Sequence, residues 1–266
     1  RSTLFPYTTL FRSLELNMQK RRNMIKTGFK THRGMRRRVN EDACFVLTRE
    51  KVYMVADGVG GYIGGQCASH TAVVYMAKRL KDEPLTTTMS EEEIHGHLEA
   101  IVEDANSKIR EKGIKEGYND MCTTLVMAVI LDNRAYFVNA GDSRAYLLRQ
   151  GKLSKITRDN SYVARLLEEG AITEEEAETH PKKNEITKAL GAEPILDPDF
   201  YKIFIEEGDC ILLCSDGLYK EVEEKEIINI LTKEENMGQA AKRLVSRANN
   251  NGGSDNITAV CIKWEV

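Results

Sequence analysis

Acidic side chains recur in this sequence beside glycine or at the edges of apolar runs, where they could bind divalent metal ions. The five places are Glu41-Asp42, Asp57-Gly58, Gly141-Asp142, Asp216-Gly217 and Asp255-Asn256. If these edges converge, the carboxylates repel one another and their pKa values rise. Hard cations bound among them would remove that penalty. Because neither histidine nor cysteine lies at ligand spacing, the set favours Mg²⁺ or Mn²⁺ over zinc.

Asp57 follows an apolar run at residues 52–56, which predicts a buried strand that ends at this carboxylate. Gly58, Gly60 and Gly61 would then allow the backbone to approach a ligand closely. Taken alone, Asp57-Gly58 is equally well explained as an ordinary turn. The sequence after Gly65 has the periodicity of a helix.

A run of three arginines, residues 36–38, precedes Glu41 and Asp42. Such a run is most often a solvated basic patch. The carboxylates that follow leave open a second interpretation, an anion contact beside a metal contact. Arginine suits that role because its planar guanidinium matches phosphate oxygens in pairs.

Apolar periodicity and turn residues predict the elements that must position these side chains. A capping box, Ser90 with Glu93, opens a helix that we expect to stop at Gly113, and further helices are predicted at residues 224–232 and 238–250. Turns between residues 123 and 157 predict an antiparallel meander that Gly141-Asp142 interrupts. The predicted strands are residues 24–29, 43–47, 52–56, 123–131, 135–140, 144–149, 152–157, 202–205, 210–214 and 257–264.

The composition excludes several classes of protein. The chain has 266 residues, with Lys+Arg 38 against Asp+Glu 41 and a net charge of -3, so nothing global indicates a nucleic acid or an anionic membrane as partner. No apolar run approaches the roughly 20 residues that span a bilayer. The six cysteines form no CxxC pair, which favours reduced thiols in the cytoplasm over a disulfide or zinc framework.

The first residues need separate treatment. Residues 4–13 resemble the in-frame translation of a DNA-sequencing adapter, and we expect residues 1–17 to be a non-native leader. A signal peptide or short anchor fits less well, because Pro6, Thr8 and Thr9 interrupt the apolar residues. Met18 or Met24 would be a plausible native start. The remainder, residues 24–266, contains no repeat or linker and is predicted to be a single domain.

Residues 159–191 differ from the rest of the domain. They are strongly charged, poor in large apolar side chains, and contain two short helical patterns at residues 161–169 and 173–178. Thr173 and Glu176 form a second capping box. We predict an exposed flap that is less stable than the sheets.

Six motifs occur in the order found in the metal-dependent serine/threonine protein phosphatases of type 2C, which the chain resembles from about residue 24 to 266. The bacterial cytosolic members are the most similar. One such motif is weak, whereas six in one order are specific. The motifs are Arg37 with Asn40-Glu41-Asp42, Asp57-Gly58-Val59-Gly60-Gly61, Cys122-Thr123-Thr124-Leu125, Asn139-Ala140-Gly141-Asp142-Ser143-Arg144, Ser215-Asp216-Gly217-Leu218, and Ser254-Asp255-Asn256-Ile257-Thr258.

The resemblance implies an α+β fold, a four-layer αββα sandwich of two antiparallel sheets flanked by helices, with a small helical flap. It also implies two Mn²⁺ or Mg²⁺ ions. Asp57 would bridge them, Asp216 and Asp255 would complete the first site, and Glu41 with the Gly58 carbonyl would serve the second.

Three further positions carry roles in the resemblance. Asp42 would orient the attacking water without touching a metal ion, and Arg37 would hold the substrate phosphate. Asp142 matches a carboxylate that shares a third, weaker metal site with Asp216.

The chain departs from the family pattern at three positions. Val59 stands where eukaryotic relatives have a histidine assigned as general acid, so the acid stays unassigned. Cys122 replaces a common glycine, which could alter packing or add sensitivity to oxidants. Asn160 replaces a histidine at the opening of the flap, a position that we expect to affect substrate selection more than chemistry.

The function implied is hydrolysis of phosphoserine and phosphothreonine on proteins by a metal-activated water, in a cytoplasmic monomer that opposes a Ser/Thr kinase. Metal-dependent cleavage of nucleic acid would use the same chemistry, but the balanced charge argues against it. A catalytically weak relative that binds phosphoproteins is the other alternative. It would have lost a metal carboxylate, and none is missing here.

Overall fold

The computed structural model of the protein describes residues 24–60, 63–118 and 120–265. The predicted leader at residues 1–17 lies outside these ranges, as does Gly61, so the interpretation of the leader stays a prediction. Strands β1–β11 and helices α1–α7 lie within the described residues.

The first antiparallel sheet has five strands in the order β1-β11-β10-β7-β8. Along β11, alternate side chains enter different cores: Ala259 and Cys261 pack toward helices, while Val260 and Ile262 pack toward the other sheet. This is the period of two expected of a strand buried on both faces. The bounds are β1 Met24–His32, β7 Arg144–Arg149, β8 Lys152–Lys155, β10 Cys210–Cys214 and β11 Ile257–Glu265.

The second antiparallel sheet has the order β2-β3-β5-β6-β9, and the short strand β4 pairs with β3. Met54 of β3 packs toward helices, whereas its neighbours Tyr53 and Val55 pack toward the first sheet. The bounds are β2 Asp42–Leu47, β3 Val52–Val59, β4 Cys122–Thr123, β5 Leu125–Leu131, β6 Arg134–Ala140 and β9 Asp199–Phe204.

Helices cover the outer face of each sheet and complete the predicted αββα sandwich. Helices α1 (Ile63–Asp82) and α2 (Glu91–Glu116) bury their apolar residues against the second sheet. Helices α6 (Glu224–Lys233) and α7 (Met237–Asn251) do the same against the first sheet.

The faces of the two sheets that meet form the central core, which includes the fully buried side chains of Tyr53 and Phe137 and the nearly buried Trp264. Burial of one large apolar side chain contributes roughly 1.5–3 kcal/mol. This core therefore fixes the two sheets against each other, and with them the strand ends that carry the acidic residues.

The predicted meander is wrong at Gly141-Asp142. Strand β6 pairs with β5 and β9, whereas β7 pairs with β8 and β10, so the chain crosses from one sheet to the other at these residues. Strand periodicity alone cannot separate a hairpin from a crossing, because both join two apolar runs through a short polar turn.

The strand predicted to end at Asp57 continues to Val59. Asp57 lies opposite Asp42 in the β2–β3 register, and Gly58 lies opposite Thr123 of β4. The alternative of an Asp-Gly turn at this position is therefore wrong. The carboxylate belongs to a paired strand, which fixes its backbone on both sides.

The capping box of Ser90 and Glu93 is present at the start of α2, as predicted. The predicted stop at Gly113 is wrong, because the helix continues to Glu116 and ends at Gly117, which has a left-handed φ of 78°. A Cβ at Gly113 would lie 2.8 Å from the Tyr118 carbonyl oxygen. The close approach of this oxygen explains why a glycine occupies position 113 inside the helix.

Both predicted helices of the flap are present. The predicted bounds of the exposed flap, residues 159–191, are too wide, because Asn160, Ser161, Ala189 and Leu190 are buried. They are α3 (Tyr162–Glu168), capped by Ser161, and α4 (Glu174–Thr179), which has the predicted capping box. Helix α3 buries no residue, and α4 buries only Ala177. None of the helices in the described ranges is long and apolar enough to cross a membrane.

We expect amide hydrogens in residues 162–186 to exchange with solvent much faster than those of β3. Few buried contacts hold the flap helices, so their local opening requires less free energy than opening of the sheet. Hydrogen exchange followed by mass spectrometry measures both segments in one sample. Protection equal to that of β3 would show that the flap belongs to the core.

Candidate metal centre

A cavity of about 550 Å³ lies where strand ends of the two sheets meet. It brings together residues from every acidic pair singled out in the sequence. Asp42 is the one predicted site residue that does not line the cavity. The predicted residues in the lining are Arg37, Glu41, Asp57, Gly58, Asp142, Asp216 and Asp255.

The backbone of Asp57 is held by hydrogen bonds to two threonines, Thr123 and Thr124. Its N–H donates to the Thr124 hydroxyl (3.0 Å), and its carbonyl accepts from the Thr123 hydroxyl (3.0 Å) and the Thr124 N–H (2.9 Å). Burial and the negative charges of neighbouring carboxylates raise the pKa of Asp57 well above its usual range. A bound cation would stabilise the ionised form.

Asp42 connects the two sheets from behind the cavity. It begins β2, and its Oδ2 accepts hydrogen bonds from the hydroxyls of Ser215 and Thr258, both at 2.7 Å. These partners follow β10 and lie in β11 of the opposite sheet. Burial raises the pKa of Asp42, and the two hydroxyl hydrogen bonds oppose that rise.

Glu41 is positioned through its main chain. Its N–H donates to Asn256 Oδ1 at 2.7 Å, and its carbonyl accepts from the Ser69 hydroxyl at 2.5 Å and the Gly58 N–H at 3.2 Å. The side chain is buried, and burial raises the pKa of its carboxyl group.

Gly58 lies where helix α1 meets this strand. A Cβ at Gly58 would lie 2.0 Å from the Gly65 carbonyl oxygen and 2.7 Å from the Glu41 carbonyl oxygen. A Cβ at Gly65 would in turn lie 2.4 Å from Glu41 Oε1. Gly58 thus allows close packing of the helix against the strand, and the predicted approach of the backbone to a ligand stays a prediction. Helix α1 begins at Ile63, earlier than the predicted start after Gly65.

Asp255 and Arg37 form an ion pair at the mouth of the cavity. Arg37 Nη2 lies 2.7 Å from Asp255 Oδ2, and the Asn256 N–H donates to Asp255 Oδ1 at 2.7 Å. The arginine side chain is about half exposed, at 49%. Its remaining N–H groups are therefore accessible to an anion from solvent.

Asp142 and Asp216 lie on the other side of the cavity. Lys220 Nζ contacts Asp216 Oδ2 at 2.6 Å. Burial and the charge of Asp216 raise the pKa of Asp142 to about 6, and the positive charge of Lys220 opposes that rise. The phenol of Tyr219 donates to the Asp142 carbonyl at 3.1 Å, which fixes the crossing between the sheets.

The donor set fits hard divalent cations. Three buried carboxylate oxygens have no hydrogen-bond partner, namely Glu41 Oε1, Asp42 Oδ1 and Asp216 Oδ1. Buried acceptors of this kind are costly unless a cation or donor satisfies them. In residues 24–60, 63–118 and 120–265, no three acidic, histidine or cysteine side chains already enclose one point, so metal binding requires side chains to move.

Sequence reasoning missed Lys220 as a member of the site. Its spacing of four residues from Asp216 is the signal that could have found it, because such pairs meet on one helical turn. It also assigned no role to Asn256. That amide accepts from Glu41 and donates to the carbonyls of Arg33 and Val39, both at 2.9 Å.

Two departures from the family pattern acquire a structural account. Asn160 is buried: its Oδ1 accepts from the Gly141 N–H at 3.0 Å, and its amide donates to Asp199 at 2.7 Å. It therefore holds the sheet crossing, and its effect on substrate selection stays a prediction. Burial raises the pKa of the Cys122 thiol to about 11, which disfavours the oxidant-sensitive thiolate.

A family profile described as Protein phosphatase 2C matches residues 31–260. The chain belongs to this family of metal-dependent serine/threonine protein phosphatases.

Among named relatives, it is 36% identical over 242 residues to the serine/threonine phosphatase stp of Listeria monocytogenes serotype 4b, covering 90% of this chain and 95% of that one. It is 39% identical over 209 residues to the protein phosphatase PhpP of Streptococcus pneumoniae, covering 79% and 84%.

The solved structures that it resembles include the catalytic domain of the serine/threonine protein phosphatase PstP in complex with two manganese ions. The TM-score is 0.81 with 32% identity, and the match covers 92% of this chain and all of that one. Stp1 from Staphylococcus aureus gives a TM-score of 0.83 with 32% identity, covering 91% and 96%. The predicted family and fold are thereby confirmed.

We expect Asp57→Asn to raise the Tm of the metal-free protein at pH 8, by about 2–4 °C for each kcal/mol of repulsion relieved. The folded-state pKa of Asp57 is raised, so the wild type loses stability as pH rises from the ordinary pKa of an aspartate toward the raised one, and the loss is complete above it. The difference should shrink as the pH is lowered, because protonation of the folded carboxyl removes the repulsion. Thermal unfolding in EDTA measures it.

Asp197→Asn is a matched control, because the Asp197 side chain is 93% exposed. It should leave the Tm nearly unchanged at high and low pH. If Asp57→Asn lowered the Tm at pH 8, the contacts that the Asp57 carboxylate makes would outweigh its repulsion by the neighbouring carboxylates.

Proposed function

We propose that this protein hydrolyses phosphoserine and phosphothreonine on proteins at a centre of two Mn²⁺ or Mg²⁺ ions held by the cavity carboxylates. The observation that carries the proposal is the convergence of five acidic strand ends from both sheets on one cavity, with buried oxygens left unpaired. The relative PstP binds two manganese ions, which supports the same ion count here.

The roles proposed for the ligands are those that the family resemblance implies. Asp57 would bridge the two ions. Asp216 and Asp255 would complete one site, and Glu41 with the Gly58 carbonyl the other. When bound, two such ions clamp the phosphoryl group and lower the pKa of the attacking water.

Arg37 is proposed to bind the substrate phosphate. Asp255 holds one guanidinium nitrogen, which orients the planar group while leaving other N–H donors free for phosphate oxygens. Positioning of the phosphoryl group by such contacts is a large part of catalysis in phosphoryl transfer.

Asp42 is proposed to orient the attacking water. The hydroxyls of Ser215 and Thr258 occupy Oδ2, and Oδ1 is left as a buried acceptor without a partner. A water that donates to Oδ1 is fixed in direction, and the carboxylate can accept its proton. At the position of Val59 no titratable group is present, so the proton donor to the leaving alcohol stays unassigned.

The alternative of a catalytically weak phosphoprotein-binding relative is less well supported, because every predicted metal carboxylate reaches the cavity. A partner Ser/Thr kinase, a cytoplasmic location, a signalling role and a monomeric state remain predictions from the sequence.

We expect hydrolysis of a phosphothreonine peptide to require added Mn²⁺ or Mg²⁺ and to stop in EDTA, because the proposed ligands are oxygen atoms that bind such ions reversibly. Release of inorganic phosphate measures turnover. Asp57→Asn should abolish it while the protein stays folded, since the bridging ligand has no substitute. Turnover that survives thorough chelation, or in this variant, would contradict the two-ion proposal.

A second prediction separates substrate binding from metal binding. Arg37→Ala should raise the KM for a phosphopeptide by about 10–100-fold, the value of one or two charge-assisted hydrogen bonds. It should not weaken Mn²⁺ binding, because Arg37 supplies no metal ligand and only pairs with the carboxylate of Asp255. Steady-state kinetics and calorimetric titration with Mn²⁺ measure the two effects separately.

Arg36→Ala is the matched control for this variant, because Arg36 is a neighbouring exposed arginine that does not line the cavity. It should leave both quantities unchanged. A comparable loss of Mn²⁺ affinity in Arg37→Ala would mean that Arg37 acts through the metal ligands.

A further inference from the structure

Lys220 lies beside the candidate metal centre, on the side of the flap. Lys220 follows α5 (Asp216–Tyr219), and its backbone N–H donates to the Asp216 carbonyl at 3.0 Å. Its ammonium group lies 2.6 Å from Asp216 Oδ2 and 3.3 Å from Asn184 Oδ1 of the flap. One side chain therefore contacts both a proposed metal ligand and the flap.

The two oxygens of Asp216 have different surroundings. Oδ2 is occupied by the ammonium group of Lys220, whereas Oδ1 is buried and has no partner. Oδ1 therefore remains for an ion of the two-metal centre. Oδ2 faces a cation that is already part of the chain.

Asp142 brings a second carboxylate to the same wall of the cavity. Lys220, Asp142 and Asp216 all line it. The ammonium group thus lies at the wall of the cavity where an ion shared by the two carboxylates would bind, and it contacts Asp216 directly.

We propose that the ammonium group of Lys220 takes the place of a third divalent cation between Asp142 and Asp216, so that this protein holds two ions and not three. The inference rests on the proposed two-ion phosphatase function. It makes Lys220 a positioning residue, which holds Asp216 from outside the coordination shell and touches neither the attacking water nor the reacting bond.

Geometry and charge both favour the lysine over a third ion. The side chain is joined to Asp216 through only four residues, so its effective concentration at Oδ2 is high and does not depend on metal concentration. A divalent ion that bound there beside the ammonium group would meet a like charge at short range. The contact with Asn184 holds the ammonium group from the opposite side.

The test counts bound ions and does not measure turnover. In equilibrium dialysis at a fixed Mn²⁺ concentration, the wild type should bind two ions. At the same concentration Lys220→Met should bind a third, because removal of the ammonium group should raise the affinity of that position for Mn²⁺ by about tenfold. Lys220→Arg, which keeps the charge, should bind two. Adding Asp142→Asn to Lys220→Met should remove the third ion.

The matched control is Lys155→Met, which breaks another pair of residues four apart, Lys155 with Asp159, and should bind two ions. Binding of the first two ions reports that each variant is folded. If Lys220→Met did not fold, Lys220→Gln would be measured in its place.

Three results would overturn the proposal: three ions in the wild type, two ions in the uncharged variants, or a third ion that persists without Asp142. A wild type that binds no ions would instead contradict the proposed function itself, so the two failures are distinguishable.

Discussion

Repulsion among carboxylates held between two sheets is the constraint on which the site depends. The folded protein keeps Glu41, Asp57 and Asp142 close together, with pKa values raised chiefly by burial. Such an arrangement opposes folding. Burial of the large inter-sheet core supplies the free energy that offsets this cost. The acidic cluster thus lowers the stability of the fold and creates a region that binds a divalent cation in strong preference to water.

Neutral hydrogen-bonding groups hold the charged ones in place. Hydroxyls of Ser215 and Thr258 fix Asp42, and the Thr124 hydroxyl, which also contacts Ser143, fixes the backbone of Asp57. Because these donors are uncharged, they orient the carboxylates without neutralising them. Among the site carboxylates of the described residues, Lys220 and Arg37 contact the outer pair, Asp216 and Asp255, so the inner carboxylates still require cations.

Motif order predicted the family, and local chemistry predicted most elements, including the capping boxes at Ser90 and Thr173. The sheet crossing at Gly141-Asp142 was not predictable from periodicity, because strand partners are set by the whole core and not by the turn. Lys220 was not predicted to be part of the site for a related reason. Its pairing depends on a single helical turn after β10, where the sequence offers only four residues of pattern.

The amide of Asn256 preorganises the segment that carries Arg37, the proposed contact for the substrate phosphate. This one side chain donates to the carbonyls of Arg33 and Val39 and accepts from the N–H of Glu41. These hydrogen bonds close residues 33–41 into a short ring, and Arg37 lies in the middle of that segment. A ring closed in advance has little conformational entropy left to lose when an anion docks. Insertions in this ring should therefore weaken recognition of the anion and be selected against, even where the domain still folds.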